Sequence, residues 1–333
     1  MRGRGATDSF GRKMSYIRVS VTHRCNLQCA YCVSGDGGLI YPNRHDILQL
    51  REITRLIRIY APLGIRKVRL TGGEPLMRKG IYTLIKNLKG IEGIEEITMT
   101  TNGVALKKMI PKLREAGLDR INISLDSLKP ERIEKVTGSD IFGLVMETIE
   151  YIAENGIWPI KINVVAIRGF NDDEITDFAD LAARMPIEIR FIEMMPTAHN
   201  RLWDGKSAIP CDEIKKAIAR KHELVSEKKH KLGGPAEVYK IKGGAGKVGF
   251  ISAISKHFCS ECNRLRLTAE GQLRSCLFSD HEIDLREGFR RGETDGWFLK
   301  KLDEALQIKP EGHRLTPTTP TSPCDKPMIS IGG

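Results

Sequence analysis

Short runs of β-branched and apolar residues alternate with longer amphipathic segments between residues 16 and 192. The short runs predict strands at Tyr16–Val21, Lys67–Leu70, Glu96–Thr100, Arg120–Leu125, Lys161–Ala166 and Glu188–Ile192. The amphipathic segments predict helices at Ile47–Tyr60, Ile81–Lys89, Leu106–Ala116, Gly143–Asn155 and Asp173–Arg184. Repeated strand–helix units require parallel strands with right-handed crossovers, so an α/β fold is expected. An open doubly wound sheet and a partial, splayed barrel both satisfy this pattern.

The pattern changes near residue 210. Beyond it the sequence predicts helices at Cys211–Lys221, Asp280–Arg290 and Asp295–Leu306, and a hairpin from Glu237–Ile241 and Lys247–Ile251. The stretch from Gln307 onward is rich in Pro and Thr, which predicts a flexible tail. We therefore divide the chain into a flexible basic N-terminus (1–14), a strand–helix region (15–209), a C-terminal region (210–306) and a tail (307–333).

The net charge limits the function only loosely. The chain has 333 residues and a formal charge of +11, which suits a nucleic acid, a membrane surface or an anionic small molecule. The basic cluster Lys228–Lys231 has the composition of a solvated loop, and no role is assigned to it. Because no apolar run is long enough to cross a bilayer and no secretory signal is evident, we expect a cytoplasmic protein without a membrane partner.

Six of the eight cysteines form two triplets near opposite ends of the sequence. The triplets are Cys25, Cys29 and Cys32, then Cys259, Cys262 and Cys276, whereas Cys211 and Cys324 stand apart. A cytoplasm keeps thiols reduced, so the triplets are expected to be metal sites rather than disulfides. The two separate cysteines are interpreted as ordinary thiols.

The first triplet follows the first predicted strand with the spacing CxxxCxxC. A structural zinc site needs four ligands, and a [4Fe–4S] cluster ordinarily takes four cysteines. Three thiolates therefore leave one iron of such a cluster open, which suits catalysis. The alternative is a zinc site that His23 completes.

The second triplet also provides three thiols. A zinc knuckle that His257 or His281 completes is the alternative to a second open cluster. Arg264 and Arg266 follow, and on a strand their guanidinium groups share one face. Such a pair suits a polyphosphate or a carboxylate, although two solvent-facing arginines on an edge strand would show the same pattern.

The CxxxCxxC triplet resembles the signature of the radical S-adenosylmethionine (SAM) superfamily. The segment Thr71-Gly72-Gly73-Glu74-Pro75, placed after the second predicted strand, strengthens the resemblance, because glycines there allow a close backbone approach to a ligand. The resemblance implies a partial (β/α)6 barrel of the radical SAM type. It also implies that the small C-terminal α+β region covers the barrel opening.

Three further features narrow the resemblance. They are the CxxCNRxRLT segment with its later cysteine, the run from Arg190 to Pro196, and the pair Gly332-Gly333. Together they are similar to the GTP 3′,8-cyclase family of molybdenum cofactor (molybdopterin) biosynthesis, over residues 16–333. The resemblance implies a lyase with two [4Fe–4S] clusters that uses SAM to generate a 5′-deoxyadenosyl radical. The implied reaction converts GTP to (8S)-3′,8-cyclo-7,8-dihydroguanosine 5′-triphosphate.

The resemblance also implies roles for individual residues. The first cluster is expected on Cys25, Cys29 and Cys32, and the second on Cys259, Cys262 and Cys276. Contacts to SAM are expected from Tyr31, Gly73, Ser124 and Met195. Contacts to GTP are expected from Arg18, Lys67, Arg69, Thr100, Lys161, Arg264 and Arg266. The catalytic group is expected to comprise Arg18, Arg264, Arg266, Gly332 and Gly333, with the glycine pair inserted into the active site.

Partners and rival functions follow from the same resemblance. The family implies a homodimer and a downstream cyclic pyranopterin monophosphate synthase that takes the product. Another radical SAM enzyme with an auxiliary cluster, of the peptide maturase type, shares the first triplet but usually has more C-terminal cysteines. A zinc-stabilised RNA-binding module suits the basic charge but not the open triplets, and no series of stacking aromatic residues is present. Nucleic acid is therefore not an expected partner.

Overall fold

The computed structural model describes residues 5–32, 46–197, 200, 202–228, 232–316, 319, 324 and 326–332. Six parallel strands form its centre, namely β1 (Tyr16–Ser20), β2 (Lys67–Thr71), β3 (Glu96–Thr101), β4 (Arg120–Ser124), β5 (Ile160–Ala166) and β6 (Ile187–Glu193). Each lies within one residue of its predicted bounds, because β-branched runs between turn residues are a strong strand signal.

Helices connect these strands in the order that the amphipathic segments predict. They are α1 (Leu50–Tyr60), α2 (Ile81–Lys89), α3 (Leu106–Glu115), α4 (Pro130–Thr137), α5 (Phe142–Glu154) and α6 (Ile175–Arg184). Only α4 was not predicted, although Pro130 occupies its first turn, where proline favours a helix start. One face of the sheet, with Ile17, Val68 and Ile97, shares a single core with these helices. Since strand residues alternate between faces, the opposite face is left for polar side chains.

The C-terminal region extends the same sheet at both edges. Beside β6 lie β9 (Lys247–Ile251), β8 (Glu237–Ile241) and β7 (Leu224–Ser226), and beside β1 lie β10 (Arg264–Leu267), β11 (Gln272–Arg274) and β12 (Ile283–Asp284). The resulting 12-stranded sheet ends at β12 and β7, which are not paired with each other. An α/β fold with an open, partial barrel is therefore confirmed.

The remaining helices are α7 (Cys211–Ala219), α8 (Arg286–Arg291), α9 (Asp295–Gln307) and α10 (Met328–Ile331). The predicted helix Asp280–Arg290 is wrong in its first half, because Ile283 pairs with Leu273 in an antiparallel ladder and only the last turns are helical. None of the helices in the described ranges is long and apolar enough to span a bilayer.

The two segments that were predicted to be flexible are largely packed where the structure describes them. In the N-terminus, Ala6 and Met14 are buried, and the Arg12 guanidinium donates to the carbonyl oxygens of Cys259 and Glu311 at 2.7 Å. In the tail, Lys309 is buried and residues 328–331 form α10. These contacts order segments whose composition alone suggests mobility. Residues 229–231 of the basic cluster Lys228–Lys231 lie outside the described residues.

Candidate active site

A row of arginines crosses the polar face of the sheet. Arg18 of β1 lies between Arg69 of β2 and Arg266 of β10 in the strand register. Arg69 donates from Nη1 to Thr100 Oγ1 at 3.1 Å. All three guanidinium groups carry a pKa below the usual value, because burial disfavours the charged form, and the pKa of Arg18 falls to about 10. The structure thus brings four of the predicted site residues together.

Gly332 reaches the same arginines. Its carbonyl oxygen accepts hydrogen bonds from Arg18 Nε at 3.2 Å and from Arg266 Nη1 at 2.9 Å. Its φ of +77° favours glycine, and a Cβ there would lie 3.3 Å from Thr71 Cγ2. A slim residue is therefore required at this position, whereas Gly333 lies outside the described residues.

Tyr16 lies two residues before Arg18 on the same face. In the register it stands between Lys67 of β2 and Arg264 of β10, and its ring centroid is 5.3 Å from Lys67 Nζ and 5.8 Å from Arg69 Cζ. Burial alone raises the pKa of the phenol, but the surrounding cations outweigh burial and lower the pKa to about 7. Tyr16 is thus a tyrosine whose ionisation falls near neutral pH.

We expect a Tyr16→Phe variant to lose one tyrosinate titration step near pH 7. The pKa values of Tyr31, Tyr60 and Tyr82 are raised, so these phenols stay protonated in that range. The measurement is the ultraviolet difference spectrum between wild type and variant as a function of pH. Identical titrations of the two proteins would contradict the assignment.

A cavity of about 440 Å³ opens between β2–β6 and the β7–β8–β9 sheet edge. Three of its lining residues, Lys67, Arg69 and Lys161, are predicted site residues. Seven Lys or Arg residues and four Glu residues line it, which leaves an excess of three positive charges. The volume falls in the usual range for a small-molecule site, and the charge favours a polyanionic ligand.

Ion pairs hold the cations of this cavity in place. Glu96 Oε1 lies 3.2 Å from both Lys67 Nζ and Arg120 Nε, and Lys161 Nζ lies 2.9 Å from Glu188 Oε2. Burial is the largest influence on Lys161 and contributes most to lowering its pKa to about 8. An anionic ligand would offset the unfavourable burial of the charged Lys161 side chain by adding negative charge near its ammonium group.

Sequence analysis missed several lining residues. Arg120, Asn122 and Arg190 line the cavity but were assigned no role. Arg120 and Asn122 alternate with buried Ile121 and Ile123 on β4. The same alternation drew attention to Arg264 and Arg266, so applying it to every strand would have found these residues.

The second cysteine triplet lies beside the arginine row. Cys259 and Cys262 immediately precede β10, and Cys276 follows β11. Because β10 and β11 are antiparallel, the start of one lies beside the end of the other, which places all three cysteines at one end of the pair. The structure therefore brings this triplet together near Arg264.

Basic groups favour thiolate at one cysteine of this triplet, Cys262, whereas burial raises the pKa of Cys259. Lys309 Nζ lies 3.7 Å from Cys262 Sγ and donates to the carbonyl oxygen of Arg264 at 3.0 Å. Burial on its own raises the pKa of Cys262, but Arg264 and Lys309 lower it to about 7. Since thiolate is the form that binds metals, the donor set fits an iron–sulfur cluster.

The first cysteine triplet occupies the loop after β1, and Gly72 and Gly73 fix that loop. Gly73 N donates to the carbonyl oxygen of Thr22 at 2.7 Å. A Cβ on Gly72 would lie 2.3 Å from Thr22 O, and one on Gly73 would lie 2.3 Å from Arg24 O. The glycines are thus required for packing against the cysteine loop itself, a reason that differs from the predicted approach to a ligand.

The three thiols of this loop are electrostatically coupled. Burial raises the pKa of Cys25, Cys29 and Cys32, and the charges of neighbouring cysteines raise those of Cys29 and Cys32 further. Positively charged iron would relieve this repulsion, so the donor set fits a cluster. Among the described residues no three His, Cys, Asp or Glu side chains are grouped to hold a single ion.

The predicted SAM residues lie at the carboxyl ends of the strands. Gly73 follows β2, Ser124 ends β4, and Met195 follows β6. Tyr31, within the cysteine loop, donates a short hydrogen bond to Asp126, which follows β4. Catalytic groups of parallel βα folds collect at this edge.

Two protein families match the chain in succession. Residues 19–182 match the Radical SAM superfamily, and residues 187–315 match Molybdenum Cofactor Synthesis C. The boundary between the two matches lies at the start of β6, so the second match includes one strand of the central barrel and the sheet edges described above.

Individual relatives agree with these matches. The GTP 3′,8-cyclase of Alkaliphilus metalliredigens is 44% identical over 98% of this chain and 99% of its own length. The GTP 3′,8-cyclase of Moorella thermoacetica is 45% identical over 92% of this chain and 95% of its own. Among solved structures, Streptococcus suis SuiB bound to S-adenosylmethionine has a TM-score of 0.62 at 15% identity. The match covers 83% of this chain and 64% of SuiB, less than two thirds of its length, and supports the fold alone.

Proposed function

This chain belongs to the GTP 3′,8-cyclase family of the radical SAM superfamily, and from that membership we propose that it cyclises GTP to 3′,8-cyclo-7,8-dihydro-GTP. As a member of the superfamily it uses a [4Fe–4S] cluster and SAM. The cationic cavity that Lys67, Arg69 and Lys161 line is the observation that carries the substrate assignment. The reaction is the first step of molybdenum cofactor biosynthesis.

The first cluster is assigned to Cys25, Cys29 and Cys32. When bound, it supplies the electron that cleaves SAM and so generates the radical chemistry. Gly73 holds the cysteine loop by its backbone, and Tyr31 is fixed by Asp126. We assign Gly73 and Tyr31, together with Ser124 and Met195, to SAM binding. Because these contacts already hold the cysteine loop in place, the loop positions the reacting atoms without a further ordering step.

The second cluster is assigned to Cys259, Cys262 and Cys276, and the guanine of GTP to its open side. The lowered pKa of Cys262 supports this assignment, because a thiolate is available at neutral pH. Cys262 precedes Arg264 by two residues at the start of β10, and this proximity supports the proposal that the second cluster adjoins the GTP site.

The triphosphate of GTP is assigned to the cationic side chains of the polar face. Lys67, Arg69 and Lys161 line the cavity, and Thr100 orients Arg69 through its hydroxyl group. Arg18, Arg264 and Arg266 continue the positive surface toward the second triplet. Guanidinium groups bind phosphate oxygens in pairs, so the arrangement suits an elongated anion.

Other properties of this family complete the proposal. We propose that the chain acts as a homodimer in the cytoplasm and delivers its product to a downstream synthase. The similarity to SuiB, at 15% sequence identity, supports the fold only and does not favour the alternative of a peptide maturase.

The proposal is tested by anaerobic incubation of the iron-loaded protein with GTP, SAM and dithionite, followed by mass analysis of the nucleotide. Formation of a nucleotide cyclised between C3′ and C8 is expected. Unchanged GTP with the iron-loaded protein would contradict the reaction, and a protein that takes up zinc but no iron on anaerobic reconstitution would contradict the cluster assignments.

We expect a Cys276→Ala variant to keep part of its SAM cleavage but to lose cyclisation, because only the second cluster is disturbed. Cys276 lies after β11, whereas the first triplet follows β1. The measurement compares 5′-deoxyadenosine and cyclised nucleotide formed in the same reaction. A variant with normal cyclised product would show that the second triplet is not part of the active site.

A further inference from the structure

Arg274 is a fully buried arginine that the proposed reaction does not use. It lies at the end of β11, and its side chain has no exposed area. Its Nη1 donates to Glu282, and its Nη2 donates to the carbonyl oxygen of Ser279 and lies 3.2 Å from Cys324 Sγ. A charge is kept in the interior of a protein only where partners such as these compensate for lost hydration.

These partners belong to two different segments. Ser279 and Glu282 lie in the loop that follows Cys276, whereas Cys324 lies in the tail. Lys326 of the tail donates to the second carboxylate oxygen of Glu282 at 2.6 Å. Glu282 therefore joins Arg274 to Lys326, and the cysteine-bearing loop is fastened to the tail twice.

The fastened tail leads directly to the arginine row. From Lys326 it continues into α10, where Ile329 and Ile331 are buried, and then to Gly332. Arg266, which binds the Gly332 carbonyl oxygen, is the register partner of Arg274 across β10 and β11. The β10–β11 pair thus carries both Arg274, which contacts the tail at Cys324, and Arg266, which binds the Gly332 carbonyl oxygen.

We propose that Arg274 is a positioning residue that fastens Cys324 and the segment 326–332 to the loop after Cys276 and so sets the Gly332 carbonyl oxygen against Arg18 and Arg266. The proposal rests on the proposed function, in which these two arginines belong to the GTP site. Without the fastening, the segment loses its contacts with Arg274 and Glu282 and keeps the packing of Ile329 and Ile331. The segment then samples more conformations, and a smaller fraction of them places the Gly332 carbonyl oxygen against Arg18 and Arg266.

Two variants separate positioning from general stabilisation. Arg274→Met removes the buried charge and leaves Lys326 as the ion-pair partner of Glu282. Lys326→Met acts at the half-exposed end of the same connection and leaves the buried arginine and its other partners in place. Lys301→Met is the control, because Lys301 forms an ion pair of the same length, 2.6 Å, with Glu304 in α9.

The first measurement is hydrogen–deuterium exchange of residues 326–332 in the full, iron-loaded chain. Both tail variants are expected to raise the exchange rate of this segment by about tenfold, while β1–β6 keep their protection. Lys301→Met is expected to match the wild type. If Arg274→Met does not fold, Lys326→Met decides the outcome alone.

The second measurement is GTP turnover at saturating GTP. A loss of kcat of about tenfold in both tail variants, with iron content retained, supports positioning. Wild-type exchange in the variants would overturn the fastening, and faster exchange with wild-type kcat would overturn its role in catalysis. If the wild type itself does not cyclise GTP, the proposed function fails, whereas the exchange data still report on Arg274.

Discussion

A Cys25→Ala variant is expected to lose SAM cleavage completely. Cys25 is one of three coupled thiols on the loop after β1, and its Sγ lies 3.8 Å from Asn102 Nδ2. Removing it leaves two ligands for a cluster that needs three, and the cofactor carries the electron transfer that the protein cannot supply itself. The measurement is 5′-deoxyadenosine released per mole of protein in the presence of dithionite and SAM.

The matched control for this variant is Cys211→Ala. Cys211 is a buried cysteine in the first turn of α7, outside both triplets, and burial raises its pKa to about 12. We expect this control to retain iron and SAM cleavage. A Cys25→Ala protein that still forms 5′-deoxyadenosine at the rate of the control would refute the assignment of the first cluster.

Removal of Gly332 and Gly333 is expected to stop cyclisation and to leave the fold and the iron content intact. The Gly332 carbonyl oxygen accepts two hydrogen bonds from guanidinium groups, those of Arg18 and Arg266. A hydrogen bond to a charged group is worth about 1.5–3 kcal/mol, and about 1.4 kcal/mol corresponds to tenfold in rate. If the two arginines act in the transition state, the loss of turnover is at least about a hundredfold.

Turnover, iron content and the thermal unfolding midpoint are measured on the same preparation of the shortened protein. Ser330→Ala is a suitable control, since it lies in α10 and keeps the length of the segment. Undiminished cyclisation by the shortened protein would mean that the contact of Gly332 with the arginines has no catalytic part.

The central strands were predictable because their signal is local. Runs such as Lys161–Ala166 are rich in β-branched residues and are bounded by turn residues, so both position and length follow from neighbouring residues. The spacing of the cysteines within each triplet can likewise be read from neighbouring residues alone. The proposed role of Arg18, in contrast, came only from resemblance to a family, whereas the alternation of Arg264 and Arg266 with leucines had already indicated a shared face.

Which of these polar side chains contact one another in the cavity was not predictable in the same way. Arg120 and Glu96 meet because β3 and β4 adopt one register, and a slip of one residue would turn either side chain to the helical face. Register depends on the whole sheet rather than on a single strand. Sequence analysis also failed to predict that the tail is ordered. The residues that bind the tail, Arg12 and Arg274, lie far from it in the sequence.

The most direct measurement uses GTP that carries deuterium at C3′, incubated anaerobically with the iron-loaded protein, SAM and dithionite. If the chain is a GTP 3′,8-cyclase, deuterium appears in 5′-deoxyadenosine in step with the cyclised nucleotide. Deuterium-free 5′-deoxyadenosine together with fully deuterated, uncyclised GTP would contradict the account.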